Sequence, residues 1–185
     1  MGEIIGLKWE DLDMKSRILQ IRRQVQRVTG KGLIYCEPKS SSSRRVVILG
    51  ATAIEKLRTE FKQLQIQPQI AGNNWVENDL IFPNSLGKPR EHSRLLKEFK
   101  EILPLAGLPL IRFHDLRHTA ATLMLQQGIH PKVVQEMLGH SDINLTLTTY
   151  SHILPTMQLE AANKMDEIVT MIEISKEIDN NVSKE

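Results

Sequence analysis

His114-Asp115-Leu116-Arg117-His118-Thr119, then Leu138-Gly139-His140-Ser141, then Thr149-Tyr150-Ser151-His152: these three pieces decide how the chain is read. On a helix, His114 and Arg117 lie three positions apart and share one face. Gly128 stops that helix, and Pro131 starts another at a position that tolerates proline. The second helix ends at Gly139, directly before His140. Two imidazoles, a guanidinium and a phenol thus fall within one short stretch. Together they can attack a phosphodiester without a metal. Cations neutralise phosphate oxygens, and the phenol can act as a covalent nucleophile.

Working outward, helical periodicity dominates. Residues Phe113 to Gln127 form the helix bearing His114 and Arg117. Before it, Glu91 to about Ala106 reads as a helix with Leu95, Phe99, Ile102 and Leu103 inward. Thr52 can cap a helix to about Gln65, with Ile54, Leu57, Phe61 and Leu64 facing a core. Gln67 to Asp79 reads as an irregular loop, and Leu80-Ile81-Phe82 as a short apolar segment that suits a strand. Nearer the start, Ile18–Val28, Leu33–Cys36 and Arg45–Leu49 are β-type segments. Thr29-Gly30-Lys31-Gly32 is turn chemistry between the first two. The polar run 38–43 links the second and third as a flexible hairpin. Glu3 to Leu7 reads as the end of a helix. Beyond Tyr150, Thr156 to about Lys176 is an amphipathic helix with Leu159, Met165, Ile168 and Ile172 on one side. A short helix is expected around Thr146 to Tyr150. The fold class is α+β, mostly α-helical, with a small three-stranded antiparallel sheet. Residues 1–155 form the domain and 156–185 a C-terminal helix and tail.

The bulk numbers suit one globular domain. A chain of 185 residues, 41% hydrophobic and 25% charged, can bury one real core. No apolar run has the length of a membrane span, and no signal core follows a basic start. The single cysteine, Cys36, makes no internal disulfide, so a cytoplasmic location is expected. The net charge of +2 hides an asymmetry. Residues 156–185 hold seven acids against three bases (−4), leaving 21 bases against 15 acids (+6) before them. A basic body with an acidic tail suits a polyanion partner, and equally a solvated surface with a chance imbalance of charge.

The pattern closely resembles the tyrosine recombinases, the integrase family of phages and mobile elements. Their hallmark is a His-x-x-Arg box, a Leu-Gly-His box, and a tyrosine nine or ten residues beyond the second histidine. Here Tyr150 follows His140 by ten. Gly2-Glu3-Ile4-Ile5-Gly6-Leu7-Lys8-Trp9-Glu10-Asp11-Leu12-Asp13 is similar to the stretch after the family's first catalytic arginine. Pro38-Lys39-Ser40 through Arg44-Arg45-Val46-Val47-Ile48 is similar to the hairpin carrying its catalytic lysine. Four ordered boxes make a specific signal where one alone would be weak.

The resemblance implies an integrase-type catalytic domain that recombines double-stranded DNA at specific sites, by integration or excision. Tyr150 would be the nucleophile that forms a 3′-phosphotyrosyl link. Arg117 would hold nonbridging phosphate oxygens with its planar fork. His114 would assist proton transfer or contact the phosphate, and His140 would donate to a phosphate oxygen. Lys39 would protonate the departing 5′-oxygen. No cofactor is expected, because the phosphotyrosyl bond retains the energy of the broken ester. The last helix is expected to mediate self-association on DNA. The blander readings are a surface ion pair for Arg117, for instance with Asp115, and capping or core roles for His118 and His152. Arg44 and Arg45 are expected to contact the DNA backbone or face water. A zinc grip by His114 and His118 at i and i+4 finds no support from a following glutamate or a cysteine pair.

In the family pattern Arg-x-Gly-Glu, the first catalytic arginine lies two residues before the glycine, which here is Gly2. The chain therefore reads as a fragment lacking that arginine, at an expected cost of about 3–4 kcal/mol of transition-state stabilisation. On this expectation it is a weak recombinase until the arginine is restored. The alternatives are a noncatalytic DNA-binding module, a type IB topoisomerase that relaxes supercoils, or a helical protein-interaction domain.

Overall fold

The computed structural model describes residues 1–37, 44–139, 158–159 and 161–172. The polar run 38–43, the short helix expected around Thr146–Tyr150 and both ends of the last helix lie outside them.

The chain opens with a short helix, α1 (Gly2–Ile5), laid against strand β3 (Gln24–Val28). A Cβ at Gly2 would sit 2.7 Å from the Val25 carbonyl oxygen, so a glycine is what lets the helix settle there. A 3-10 turn, Trp9–Asp11, leads into β1 (Leu12–Asp13) and β2 (Ile18–Ile21). The single strand expected over Ile18–Val28 is in fact two, β2 and β3, separated by Arg22 and Arg23. Asp11 is the reason. Its carboxylate is buried (3% exposed) and receives the Arg23 guanidinium, with Arg22 3.7 Å away. A carboxylate taken out of water needs such partners, and supplying them interrupts the strand.

Among the described residues, two antiparallel sheets result. β2 is the centre of a three-stranded sheet, flanked by β1 and by β5 (Arg45–Ile48), with Leu19 opposite both Leu12 and Val47. β3 pairs with β4 (Gly32–Cys36) as a separate hairpin. The expected three-stranded sheet is present, but the Leu33–Cys36 segment belongs to the hairpin and β1 takes its place. Along β2, Leu19 and Ile21 are buried while Ile18 and Gln20 are half-exposed, the alternation of a one-sided strand.

Leu19 and Ile21 meet Leu7 and Ile81 in the first core, with Trp9, Val47 and Leu57 packed around them. Ile81 is fully buried, and its N–H donates to the Leu7 carbonyl at 2.9 Å. The 80–82 segment is therefore pinned by one isolated Lys8–Leu80 bridge and is not a strand. Ile81→Ala should lower unfolding stability by about 2–5 kcal/mol through lost transfer energy and a cavity. Urea denaturation followed by circular dichroism measures it, and a loss under about 1 kcal/mol would show that the site collapses without cost.

Helices follow. α2 (Ala51–Leu64) starts from Gly50 with no side-chain cap, so Thr52 lies in its first turn and not at its cap. Phe61 meets Trp9 edge to face at 4.9 Å. The expected loop from Gln67 contains a short helix, α3 (Gln67–Ala71), begun by a proline, and a 3-10 turn, Gly72–Asn74. α4 (His92–Leu105) buries Leu103, and its Phe99 meets Phe113 edge to face at 5.2 Å. Ile102, expected inward, is 58% exposed, because it sits at the edge of the stripe that Phe99 and Leu103 define.

α5 (Asp115–Gln126) and α6 (Pro131–Leu138) form the second core with Ala121, Leu125, Val134 and Leu138. His130 caps α6, its Nδ1 accepting from the Lys132 N–H at 3.1 Å. Residues 158–159 and 161–172 are helical, and Leu159, Ile168 and Ile172 are exposed. No helix among the described residues is long and apolar enough to cross a membrane.

Candidate active site

The start of α5 is fixed by a local ion pair. Asp115 accepts the Arg112 backbone N–H and its guanidinium, each at 2.8 Å. Asp115 is thereby held below the usual carboxylate range, chiefly by the hydrogen bond from Arg112. The surface-pair reading of Arg117 with Asp115 is not what forms. Arg117 instead reaches across to α6, where its guanidinium donates to the Leu138 carbonyl oxygen. A helix C-terminus leaves its last carbonyls without intrahelical partners and is electronegative, so a guanidinium there is favourable on both counts.

A second arginine does the same one residue earlier. Arg45 Nε donates to the Met137 carbonyl oxygen at 2.9 Å. Its two terminal nitrogens grip both oxygens of Glu3 at 3.0 and 2.9 Å, a two-point pair with only 14% of the arginine side chain exposed. Arg45 is therefore mostly withdrawn from water and committed to Glu3 and Met137. Arg44 pairs at the surface with Glu37 at 2.7 Å.

These contacts enclose an open cleft of about 500 Å³, walled by Glu3, Arg45, His114, Arg117, Met137 and Leu138. His114 and Arg117 thus line one cavity, as their spacing predicts. Met1, the residue before Gly2, also lines it. The His114 imidazole is held below its ordinary value of 6.5. Partial desolvation of this otherwise exposed residue is the largest cause, followed by the nearby His118 and Arg117 charges. His118 sits edge-on to His114 with ring centroids 4.9 Å apart, so it packs on the candidate site instead of standing apart. Another cleft, beside α4, is lined by Arg90, Arg94 and Glu98, but its cations are paired with Glu98 at 3.1 and 3.0 Å.

Lys39, His140 and Tyr150 lie outside the described residues. The chain reaches two of them from this cleft: Gly139, which follows Leu138, directly precedes His140, and Arg45 lies on the strand that follows the run holding Lys39. Sequence reasoning missed Glu3 and Arg45 as site residues. An acid and a base 42 positions apart carry no spacing signal. The usable hint was that each falls inside a box of the resemblance.

Comparison with known proteins decides the family. The profile of the phage integrase family matches residues 1–157. This chain belongs to the phage integrase family. A tyrosine recombinase XerC-like protein of Caldanaerobacter subterraneus subsp. tengcongensis is 34% identical over 178 residues, covering 90% of this chain and 46% of the relative. Among solved structures, a complex of the Tn1549 transposon integrase with transposon right end DNA superimposes with a TM-score of 0.68 at 25% identity, covering 91% of this chain and 54% of that one. The XerH site-specific recombinase in a post-cleavage complex with its difH substrate gives 0.58 at 30% identity, covering 89% and 41%. The chain spans less than half the length of the curated relatives it matches. The mostly helical body with its small antiparallel sheet is the architecture of integrase catalytic domains.

Proposed function

We propose that the protein acts on double-stranded DNA as the catalytic part of a tyrosine recombinase, integrating or excising DNA at specific sites. The observation that carries this reading is the shared cleft. His114 and Arg117 line one wall, and the α6 end that leads into His140 lines another. Relatives captured on circular-intermediate, right-end and difH DNA support the choice of substrate. In the proposed reaction the Tyr150 oxygen bonds to a backbone phosphorus, and the bond from phosphorus to the 5′-oxygen breaks. The phenol loses its proton to a neutral imidazole, for which His114 is the candidate, and Lys39 supplies one to the departing 5′-oxygen. Arg117 and His140 hold the nonbridging oxygens as negative charge builds on them. No nucleotide is consumed. The last helix is proposed to couple neighbouring copies on DNA, a role supported by the exposed Leu159, Ile168 and Ile172.

A nicked suicide duplex tests the reading. Loss of the short fragment beyond the cleaved bond traps the protein on DNA, and a band that survives denaturation marks the covalent link. Binding without that band would favour a noncatalytic module, and supercoil relaxation without strand exchange would favour a topoisomerase.

The His114 shift fixes a pH dependence. A lowered imidazole value means that the ring is mainly neutral at pH 7 and has its midpoint below 6.5. If His114 accepts the phenol proton, the adduct rate at subsaturating DNA falls on an acid limb whose midpoint lies below 6.5. His114→Gln should remove the limb along with most of the rate. A limb centred at or above 6.5 would show that another group titrates.

A further inference from the structure

We infer that Arg45 is a positioning residue of this site: it locks the segment leading to His140 onto α1 and onto the strand that follows Lys39. The inference rests on the recombinase reading of the cleft but adds a residue whose role that reading leaves open.

Four observations converge on it. The guanidinium holds both oxygens of Glu3, on α1, and with the same planar group the Met137 carbonyl at the end of α6. The side chain is largely buried, so water does not compete strongly for these bonds. The guanidinium also lies directly over Gly139. A Cβ at that position would be 2.8 Å from Arg45 Nη1 and 3.1 Å from its Cδ and Cζ. Finally, Gly139 has φ +69°, the left-handed value that ends the helix and turns the chain toward His140. Glycine is thus required here twice over, once by the backbone and once by the arginine. Arg117 holds the next carbonyl, that of Leu138, so two consecutive orphan acceptors are each taken by an arginine from a different element. The direction in which the chain leaves α6 is set by this pair.

Charge gives Arg45 a second task. Glu3 is an acid on the wall of a cleft proposed to receive a phosphate, and an unpaired carboxylate there would repel it. The two-point pair cancels that charge locally while leaving Arg117 for the phosphate. Lysine cannot substitute: one ammonium cannot span both Glu3 oxygens and the Met137 carbonyl in a plane.

The test compares the parent chain, Arg45→Lys, Glu3→Gln and the double variant, each first shown to melt cooperatively. Three quantities are read: amide hydrogen exchange at Leu138 and Gly139 without DNA, affinity for one duplex, and Tyr150 adduct rate at saturating DNA. Arg45→Lys should speed exchange at Leu138 and Gly139 by about tenfold while leaving Ala121 and Leu125 unchanged, as expected of a local opening. It should slow the adduct step by about 10²-fold, the size of a displaced catalytic group, with affinity changed by less than about threefold. The double variant should be no slower than the worse single one, because both changes break one network. A merely structural role would move stability but not the rate of folded, saturated protein. Parental exchange at Gly139 in Arg45→Lys, a parental adduct rate, or additive losses in the double variant would overturn the inference. If the parent forms no adduct, the rate comparison is run with an arginine added directly before Met1; no adduct there, with Gly139 exchange responding as described, means that the recombinase reading has failed and the latch stands.

Discussion

Phenylalanine at position 150 should abolish the covalent protein–DNA band while leaving DNA binding within about twofold of the parent. Deleting an enzyme's nucleophile typically removes on the order of 10⁶-fold in rate, which here means no detectable adduct. Affinity should barely move, because phosphate contacts made by cations dominate binding and Phe keeps the ring. The chain offers one other phenol, Tyr35 on β4. Burial pushes its pKa up, against a smaller downward pull from Arg23. A phenol harder to ionise is a poor nucleophile, and Tyr35 is not among the residues lining the cleft of His114 and Arg117. Tyr35→Phe should therefore keep the parental adduct rate. The pair is run on the same nicked duplex at matched salt. An adduct that persists in Tyr150→Phe and vanishes in Tyr35→Phe would move the chemistry to the β3–β4 hairpin and end the integrase assignment of roles.

The helices that build the candidate site were legible because their signals are local. Gly128 and Gly139 stop α5 and α6, Pro131 starts the latter, and three-residue spacing puts His114 and Arg117 on one face. The three-stranded sheet was legible in kind but not in membership. Ile18 to Val28 reads as one strand by composition, and what breaks it is a buried acid seven positions before Ile18 that draws in two arginines. Long-range ionic demands of this sort leave no periodic trace. The same holds for Arg45, whose neighbours in sequence suggest a solvated or DNA-facing side chain, whereas its partners come from α1 and α6. His130 escaped notice because a histidine cap has no fixed sequence context, and Ile102 because the apolar stripe on α4 is wider than the face that is covered. Local grammar thus gave the scaffold, and the ion pairs that fix its angles became visible only in three dimensions.

Arg117 is where the candidate site and the fold share a residue, and two substitutions separate the two uses. Arg117→Ala should slow adduct formation at saturating DNA by about 10²–10³-fold, the cost of removing one donor aimed at developing charge. It should also flatten the salt dependence, lowering the slope of log K against log salt by about 0.9, the share of one phosphate left without its cation. Arg117→Lys keeps a cation, so its salt slope should match the parent. Its rate should still fall by about tenfold or more, because an ammonium cannot offer two parallel N–H groups to a phosphorane and a further one to the Leu138 carbonyl. The loss in thermal stability should be small and alike in both variants, since each gives up the bond to Leu138 but leaves Ala121 and Leu125 packed in the second core. The decisive comparison is therefore rate against slope. A lysine variant that cleaves at the parental rate would reduce Arg117 to a point charge. An alanine variant with an unchanged slope would mean that Arg117 never touches the phosphate and serves the fold through contacts such as the Leu138 carbonyl.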